Sequence, residues 1–326
     1  MMNDSVRVLE AHEALRSESA GFTLRDATDK VLDADRLDGR IQYNAENADI
    51  IQVAPDSSGL PPFWLYSVLS RAGRPHNLPP GTCPISREAV RLSGQRFFVI
   101  ELVRWRWLIL ANPFAYAPRC VTWAAAEPIE QASVDSGDMS LWRMILEVML
   151  FICQSIVGDI VGFNARVGNS LSWLHLVSHT VPGGIGPYAL QQIGTKLGSV
   201  ARLSAAHIGR NNGYPLDAWR FGFSDVAASA DAAVELLARW LLLNPNNSAN
   251  VAAVMEDGVP VLYVIPRNRL LRPLGWPEMP AVAEVLGGWV ASREEVVNRV
   301  RTGEWDYNHF WRALASLRPP GVEHLL

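Results

Sequence analysis

The chain has 326 residues, of which 49% are hydrophobic, so it is long enough for one large domain or two ordinary ones with a substantial core. Its 29 basic and 33 acidic residues give a formal net charge of −4, which excludes a broad basic surface for nucleic acid. The 3 cysteines are widely spaced and form no C-x-x-C pair, which excludes a disulfide framework and a zinc ribbon. We therefore predict no metal, no cofactor and a reducing compartment.

Charge near the N-terminus and within the most apolar stretch argues against secretion and membrane insertion. The first twenty residues carry acidic side chains at four positions, which does not fit a signal peptide. Residues 141–157 are interrupted by Arg143 and Glu147, and the uncharged part is too short to cross a bilayer core of ~30 Å. These features predict a cytoplasmic protein without a membrane partner.

The predicted elements of the N-terminal third begin with helix and continue with coil and strands. Residues 1–40 are polar with helical spacing and predict one or two peripheral helices. Residues 57–84 are rich in proline and predict extended coil that wraps a sheet rather than joining one. Residues 95–110 are dense in β-branched and aromatic side chains, which predicts either a hairpin or one long bent strand. The ladder breaks at residues 112–114 and resumes over residues 119–123.

The middle of the chain pairs one strong helix with two strands. Apolar side chains over residues 141–156 recur at helical spacing and predict an amphipathic helix. Residues 159–163 predict a short strand, and residues 171–181 predict a strand within a run that carries no charge at all. A charge-free run of that length is typical of a buried segment or a cleft wall.

The C-terminal part repeats this mixture. A helix is predicted over residues 231–243, and a hairpin around Asp257 and Gly258 joins strands over residues 249–255 and 259–265. Two further helices are predicted, over residues 294–300 and 307–317. Because strands and helices cluster instead of alternating strictly, the pattern predicts an α+β fold with a largely antiparallel sheet.

Three segments carry a resemblance to a known family. Residues 108–131 contain a strand, an N-P-F turn, a second strand and a following segment that ends in glutamine; residues 162–179 join a small-residue loop to a strand with two histidines. Residues 258–267 form an x-P-R strand, which an E-x-L-G-G turn follows at residues 284–288, and residues 41–44 add an early Q-x-N. In this order the segments resemble the branch of the histidine-triad superfamily that contains galactose-1-phosphate uridylyltransferase, dinucleotide phosphorylases and GDP-hexose phosphorylases.

The resemblance implies a histidine-triad-like α+β fold of two related halves, each with a curved, mostly antiparallel sheet and packed helices. The halves would be residues 1–195, which hold the degenerate triad segment, and residues 196–326, and together they would form one compact unit.

The residues around the two histidines predict an anion site with a nucleophile beside it. Small and amide side chains make up a loop in which backbone N–H groups can approach an anionic oxygen. These loop residues are Asn164, Gly168, Asn169 and Ser170. On the next strand His175 has apolar neighbours that must point to the opposite face, so Trp173, His175, Val177 and His179 share one face. A neutral imidazole beside a phosphate-binding loop can attack phosphorus and leave again.

The triad itself is incomplete in either register. One register places His175 on the family's nucleophilic histidine, with Trp173 and Val177 where polar side chains are expected. The other makes His175 and His179 the outer histidines and puts Val177 at the nucleophile. We interpret His175 and His179 as the candidate catalytic residues, and Trp173 as a residue that narrows the pocket or stacks on a ligand.

Further candidates for substrate binding lie beside the segments of the resemblance or in the proline-rich stretch. Guanidinium groups match oxyanions bidentately, which favours the arginines in these segments. The candidates are Arg119, Arg166, Arg267, Asn112 and His76.

Three functions of different classes follow. The first is an enzyme that acts on a phosphate ester, sulfate ester or nucleotide-activated small molecule through the anion loop and His175. The second is a repurposed biosynthetic enzyme of specialised metabolism that catalyses an intramolecular displacement or ring closure with an oxyanion leaving group. The third is a non-catalytic binding protein on the same fold. The expected partner is an anionic small molecule, and both a homodimer and a partner protein of the same pathway remain open.

Overall fold

The structure is a computed structural model that describes most of the chain. The described residues are 7–12, 15, 22–41, 49–56, 59–69, 71, 83–127, 129–130, 134, 138–156, 160–167, 171, 173–182, 187–194, 201–203, 206–210, 214–222, 225–322 and 325. For residues 156, 194, 201–203 and 206–210 the description covers the backbone only.

Strands in two sheets form the framework. The strands of the large sheet are β1 Arg7–Ala11, β4 Phe97–Leu102, β5 Trp105–Ala111, β6 Val121–Ala125, β7 Ile160–Asn164, β8 His175–His179, β9 Ala201–Leu203, β10 Ala206–Arg210, β11 Trp219–Gly222, β12 Asn247–Glu256 and β13 Val259–Asn268. Those of the small sheet are β2 Asp49–Val53, β3 Phe63–Ser67 and β14 Gly288–Ala291. The large sheet has the order β1-β4-β5-β6-β8-β7-β12-β13-β11-β10-β9, and all its neighbouring strands are antiparallel.

Helices cover both faces of the large sheet. The helices are α1 Leu24–Leu37, α2 Arg87–Ser93, α3 Met139–Ile156, α4 Ala189–Gly194, α5 Val226–Leu243, α6 Val282–Leu286, α7 Glu294–Arg301 and α8 Tyr307–Ala315. The long helices α1, α3 and α5 pack on one face, where they share an apolar cluster with the sheet. The small sheet and α6–α8 share a second cluster with the opposite face.

Alternation along the strands assigns side chains to these two layers. In β12, Val251 and Ala253 belong to the cluster with the long helices, whereas Ala252 and Val254 belong to the cluster with the small sheet. Successive side chains of a strand point to opposite faces, so a strand that is buried on both faces is apolar throughout. The predicted α+β class with a largely antiparallel sheet is therefore confirmed.

Both predicted hairpins are present. Residues 95–110 form two strands rather than one bent strand, because β4 and β5 pair across a turn at Val103 and Arg104 with φ of 49° and 65°. The β12–β13 hairpin turns at Asp257 and Gly258, where φ is 50° and 79°. Positive φ at both central residues is the geometry of the tight turns that match the right-handed twist of paired strands.

The proline-rich stretch corrects one prediction. Residues 57–84 were expected to be coil outside the sheets, yet β3 is the central strand of the small sheet, antiparallel to β2 and parallel to β14. Its sequence FWLYS is apolar and aromatic, and the prolines at 61 and 62 precede its first residue, so they remove no hydrogen bond from it.

The large sheet contains strands from both sides of the predicted boundary at residue 195. Strands from before that residue lie on one side and strands from after it on the other, and they meet where β7 pairs with β12. The division into two related halves stays a prediction. Within the described ranges, none of the helices has both the length and the apolar character needed to span a bilayer.

Candidate functional site

A cavity of about 610 Å³ opens on the face of the large sheet that carries the small sheet. Its walls come from β7, β8 and the segment that leads from the end of β13 through α6 to the end of β14. The lining residues with polar or charged side chains are Arg71, Asn112, Tyr116, Asn164, Arg166, His175, His179, Arg269, Arg272, Glu278, Glu284 and Ser292. The cavity therefore brings together both predicted histidines and part of the predicted anion loop.

His175 is held in a defined tautomer on the cavity wall. Its side chain is buried, and Nδ1 donates a hydrogen bond of 2.8 Å to the backbone carbonyl of Trp173. A carbonyl only accepts, so the proton of the neutral imidazole is on Nδ1 and the lone pair is on Nε2. Leu174 and Leu176 point into the opposite core cluster, as the alternation along the strand predicts.

His179 belongs to a buried chain of hydroxyl groups. Its Nδ1 lies 3.1 Å from the hydroxyl of Tyr116, and its Nε2 lies 3.5 Å from that of Tyr188. The Tyr188 hydroxyl is in turn 2.8 Å from the hydroxyl of Tyr66. Burial lowers the pKa of His179 to about 3, and it raises the pKa values of Tyr116 and Tyr188 well above 10. His179, Tyr116 and Tyr188 are consequently neutral near pH 7.

The charged side chains of the cavity favour an anion. Among the described lining residues, four are arginines and two are glutamates. Arg71 lies with its guanidinium carbon 5.1 Å from the centre of the Tyr116 ring, and its buried Nε has no hydrogen-bond partner. A buried donor without a partner is costly, so an anionic ligand that accepts from Arg71 is stabilised there. No group of three or more His, Cys, Asp and Glu side chains within the described part of the chain is placed to hold a metal ion.

Glu284 is the carboxylate most closely built into the wall. It lies in the first turn of α6, where Oε2 accepts a hydrogen bond of 3.0 Å from the backbone N–H of Ala281. Burial raises the pKa of Glu284, while the N–H bonds and the positive charge of Arg71 lower it less strongly. A carboxyl group of this kind can exchange a proton closer to neutral pH than an exposed one.

Asn164 is fixed by a buried polar network below the cavity. Its Oδ1 accepts hydrogen bonds of 2.8 Å from Asn250 Nδ2 and from the backbone N–H of Val282. Asn250 Oδ1 accepts from Nη1 of Arg267, whose other acceptors are the Pro280 carbonyl and the Met279 sulfur. The network ties β7, β12 and β13 to the start of α6.

Arg267 is a buried part of this network rather than a lining residue. Its side chain is only 1% exposed, and burial lowers its pKa to about 9, so it stays protonated at neutral pH. We expected it to contact an anion because it ends the x-P-R strand. Instead it is buried behind the residues that line the cavity. Ile265 and Tyr263, which point to the same face of β13 as Arg267, also belong to the apolar cluster on this face.

Two further predicted residues lie outside the cavity lining. Arg119 has a φ of 53° and forms an ion pair of 2.5 Å with Asp29 of α1, which directs it to another layer. Trp173 is half-buried and forms an isolated β-bridge with Glu130. Asn112 and Arg166 do line the cavity; Asn112 Oδ1 accepts from the Phe114 N–H at 3.0 Å. The predicted residues His76, Gly168, Asn169 and Ser170 lie outside the described residues.

Close backbone packing holds α6 against the large sheet and the small sheet. A Cβ on Gly162 would lie 3.0 Å from Cγ1 of Val282, and one on Gly288 would lie 2.5 Å from Cζ of Tyr188. Gly287 ends α6 with a φ of 112°, a conformation that favours glycine. In the E-x-L-G-G sequence, close packing and a positive φ thus require the two glycines, and the glutamate places a carboxylate in the cavity.

Several residues that line the cavity were not predicted from the sequence. Arg71, Tyr116 and Glu284 come from three separate segments, and only the tertiary structure brings them together. Glu284 was visible as part of the E-x-L-G-G resemblance, whereas nothing local marks Arg71 in the proline-rich stretch.

The α+β fold of the described residues matches that of proteins whose structures have been solved. Solved structures of yeast Ap4A phosphorylase Apa2 are similar to it: the complex with Ap4A has 16% identity and a TM-score of 0.61, covering 90% of this chain and 97% of that one. The complex with AMP has 14% identity and a TM-score of 0.63 over 96% and 99% of the two chains, and a further Apa2 structure has 13% identity. No family model and no curated protein matches the sequence. At this identity the likeness establishes the fold.

Proposed function

We propose that the protein is an enzyme that acts on a nucleotide or another phosphate-bearing small molecule, with His175 as the nucleophile. The observation that carries the proposal is the place of His175 in the lining of a cavity with several arginines, where a hydrogen bond from Nδ1 to the Trp173 carbonyl orients its ring. The structurally similar Apa2 has been solved with Ap4A and with AMP, which supports a nucleotide as the substrate.

The proposed reaction has two steps. His175 Nε2 attacks the phosphorus atom of the substrate; a P–N bond forms, and the P–O bond to the leaving group breaks with its electron pair on oxygen. An acceptor then attacks the same phosphorus, and the P–N bond electrons return to Nε2. Arg71 and Arg166 are the candidates for holding the phosphoryl oxygens, and donors of this kind typically contribute ~10² or more to the rate.

The first experiment detects the covalent intermediate. Purified protein is incubated with Ap4A or a nucleotide sugar, and its intact mass is measured by mass spectrometry. We expect a gain of one nucleotidyl group, that is, a nucleoside monophosphate less water, located at His175 by peptide mapping. The variant His175→Asn should lose both the adduct and turnover, whereas His12→Gln, which removes a histidine beside Arg96 far along the chain, should keep both. Intact substrates and an unmodified protein would refute the proposal.

A second candidate function is favoured by Val177. This side chain lines the cavity where the resemblance places a Gln or His next to the nucleophile. A site with arginines but without that donor suits an intramolecular displacement, in which the substrate's own amine or hydroxyl expels phosphate or sulfate. The same incubation separates the two: this candidate releases the oxyanion without any protein adduct. Ligand binding without turnover would instead support a non-catalytic binding protein.

A further inference from the structure

In the second step of the proposed reaction an acceptor attacks phosphorus, and the chemistry of that acceptor decides whether the cavity needs a base. A phosphate acceptor is already an oxyanion near neutral pH and needs no base. Water or an alcohol must lose a proton as its oxygen bonds to phosphorus, so a base in the cavity indicates a hydroxyl acceptor. The question is therefore which cavity side chain can take that proton.

Among the described lining residues, the groups that can exchange a proton below the pKa of arginine are Tyr116, His175, His179, Glu278 and Glu284. His175 is used as the nucleophile. Tyr116 keeps its proton because burial raises its pKa well above 10, and His179 is a weak base because burial lowers its pKa to about 3. The choice falls to the two carboxylates.

The two carboxylates differ in how firmly they are held. Glu284 is fixed by the hydrogen bond from the Ala281 N–H to Oε2, which orients the carboxylate on the cavity wall. Glu278 lies in the segment before α6, and Oε1 accepts only a long hydrogen bond of 3.4 Å from the Ser292 hydroxyl. A general base must keep its oxygen within hydrogen-bond reach of the acceptor, which favours the fixed group.

The surroundings of Glu284 also suit a base. Burial is the main cause of its raised pKa, and the negative charge of Glu278 adds to it, whereas Arg71 opposes it. The charged and titratable groups that interact with its carboxylate are Arg71, Arg267, Glu278, Tyr116 and Tyr188. Both tyrosines are neutral near pH 7, so the charges that act on Glu284 are those of Arg71 and Arg267, which favour its ionised form, and that of Glu278, which opposes it.

We propose that Glu284 is the general base of the cavity and that the acceptor is a hydroxyl group, either of water or of an alcohol. This inference rests on the proposed function of His175. In the step concerned, the acceptor oxygen forms a bond to phosphorus, the P–N bond breaks with its electrons on Nε2, and the hydroxyl proton passes to the Glu284 carboxylate. Atoms and charge balance without an additional reactant.

A glutamine variant separates this role from a structural one. Glu284 Oε2 accepts from the Ala281 N–H at the start of α6, and the side-chain oxygen of glutamine can accept in the same way. Glu284→Gln therefore keeps the acceptor for the Ala281 N–H and removes only proton exchange. The exposed Glu294, in the first turn of α7, provides a matched control as Glu294→Gln.

The experiment measures adduct formation and transfer separately. The nucleotidylated protein is prepared, freed of substrate, and given water alone, a simple alcohol or inorganic phosphate at several pH values. For Glu284→Gln we expect normal adduct formation, a loss of ~10² or more in transfer to water and alcohol, and no acid limb in the pH profile. Transfer to phosphate should stay at the wild-type rate, and Glu294→Gln should match the wild type throughout.

Different failures point to different proposals. Wild-type transfer to hydroxyl acceptors by Glu284→Gln, or an equal loss with phosphate, would overturn the role of Glu284 while leaving the adduct on His175 intact. Absence of an adduct in the wild-type protein would remove both proposals. Glu284→Asp offers a further check, because a restored carboxylate should recover the acid limb even where its shorter side chain lowers the rate.

Discussion

The buried His179 makes the stability of the protein sensitive to acid. Its side chain is 2% exposed, and burial lowers its pKa from 6.5 to about 3. Between these values the unfolded chain binds a proton at this residue and the folded chain does not. The contribution is complete above pH 6.5 and is lost as the pH falls toward 3. At pH 5, 1.5 units below 6.5, the loss amounts to about 2 kcal/mol.

The assay is urea unfolding at pH 7 and pH 5. In the wild type the free energy of unfolding should include this loss of about 2 kcal/mol, and in His179→Gln the loss should disappear. Buried carboxyls such as Glu284, whose pKa is raised, act in the opposite direction, but their contribution cancels when the two proteins are compared.

Tyr188→Phe is the informative control. It removes the hydroxyl that lies 3.5 Å from His179 Nε2 and leaves the histidine buried. Since burial and not this hydrogen bond lowers the pKa, the variant should be less stable at both pH values yet keep the wild-type difference between them. An identical pH dependence in wild type and His179→Gln would refute the reasoning.

Three further substitutions test the walls of the cavity. Gly288→Ala should destabilise the protein by about 1–3 kcal/mol in urea unfolding, because the new Cβ would lie 2.5 Å from the Tyr188 ring; wild-type stability would contradict that contact. Asn250→Ala should cost about 1–3 kcal/mol by removing an acceptor of the buried Arg267, and an unchanged urea midpoint would show that the network is dispensable. Arg71→Gln should weaken binding of a nucleotide about tenfold in calorimetry at constant pH, and equal affinity would exclude Arg71 as a ligand.

The sequence was informative where periodicity decides the outcome. The alternation along β8 correctly placed His175 and His179 on one face and the leucines on either side of His175 in the core, because a strand leaves only two directions for a side chain. Turn residues and helical spacing also located the hairpin at residues 257–258 and the helix α3, whereas the pattern over residues 95–110 allows either a hairpin or one bent strand. The sequence pattern missed β3, because prolines lie directly before this strand and follow it in the chain, which is typical of coil. Only the pairing with β2 and β14 shows that residues 63–67 form a strand.

The candidate site was less predictable because proximity in sequence does not fix proximity in space. Arg119 and Arg267 were selected for their neighbours in the chain, yet one pairs with Asp29 and the other is buried behind the wall. Arg71 and Glu284 enter the cavity from segments more than two hundred residues apart in the chain. Only the order of the strands, in which β3 pairs with β14, could have shown that these two residues lie at the same cavity.

The two sides of the cavity differ in how freely they can vary. The sheet side is restricted by ladder hydrogen bonds and by the glycines at 162 and 288. The segment at residues 269–281 contributes two arginines and a glutamate yet contains neither helix nor strand. Loops tolerate substitution better than the elements they connect. Substitution of the arginines and the glutamate in this segment can therefore change the charge of that wall, while the surroundings of His175 in the sheet stay the same.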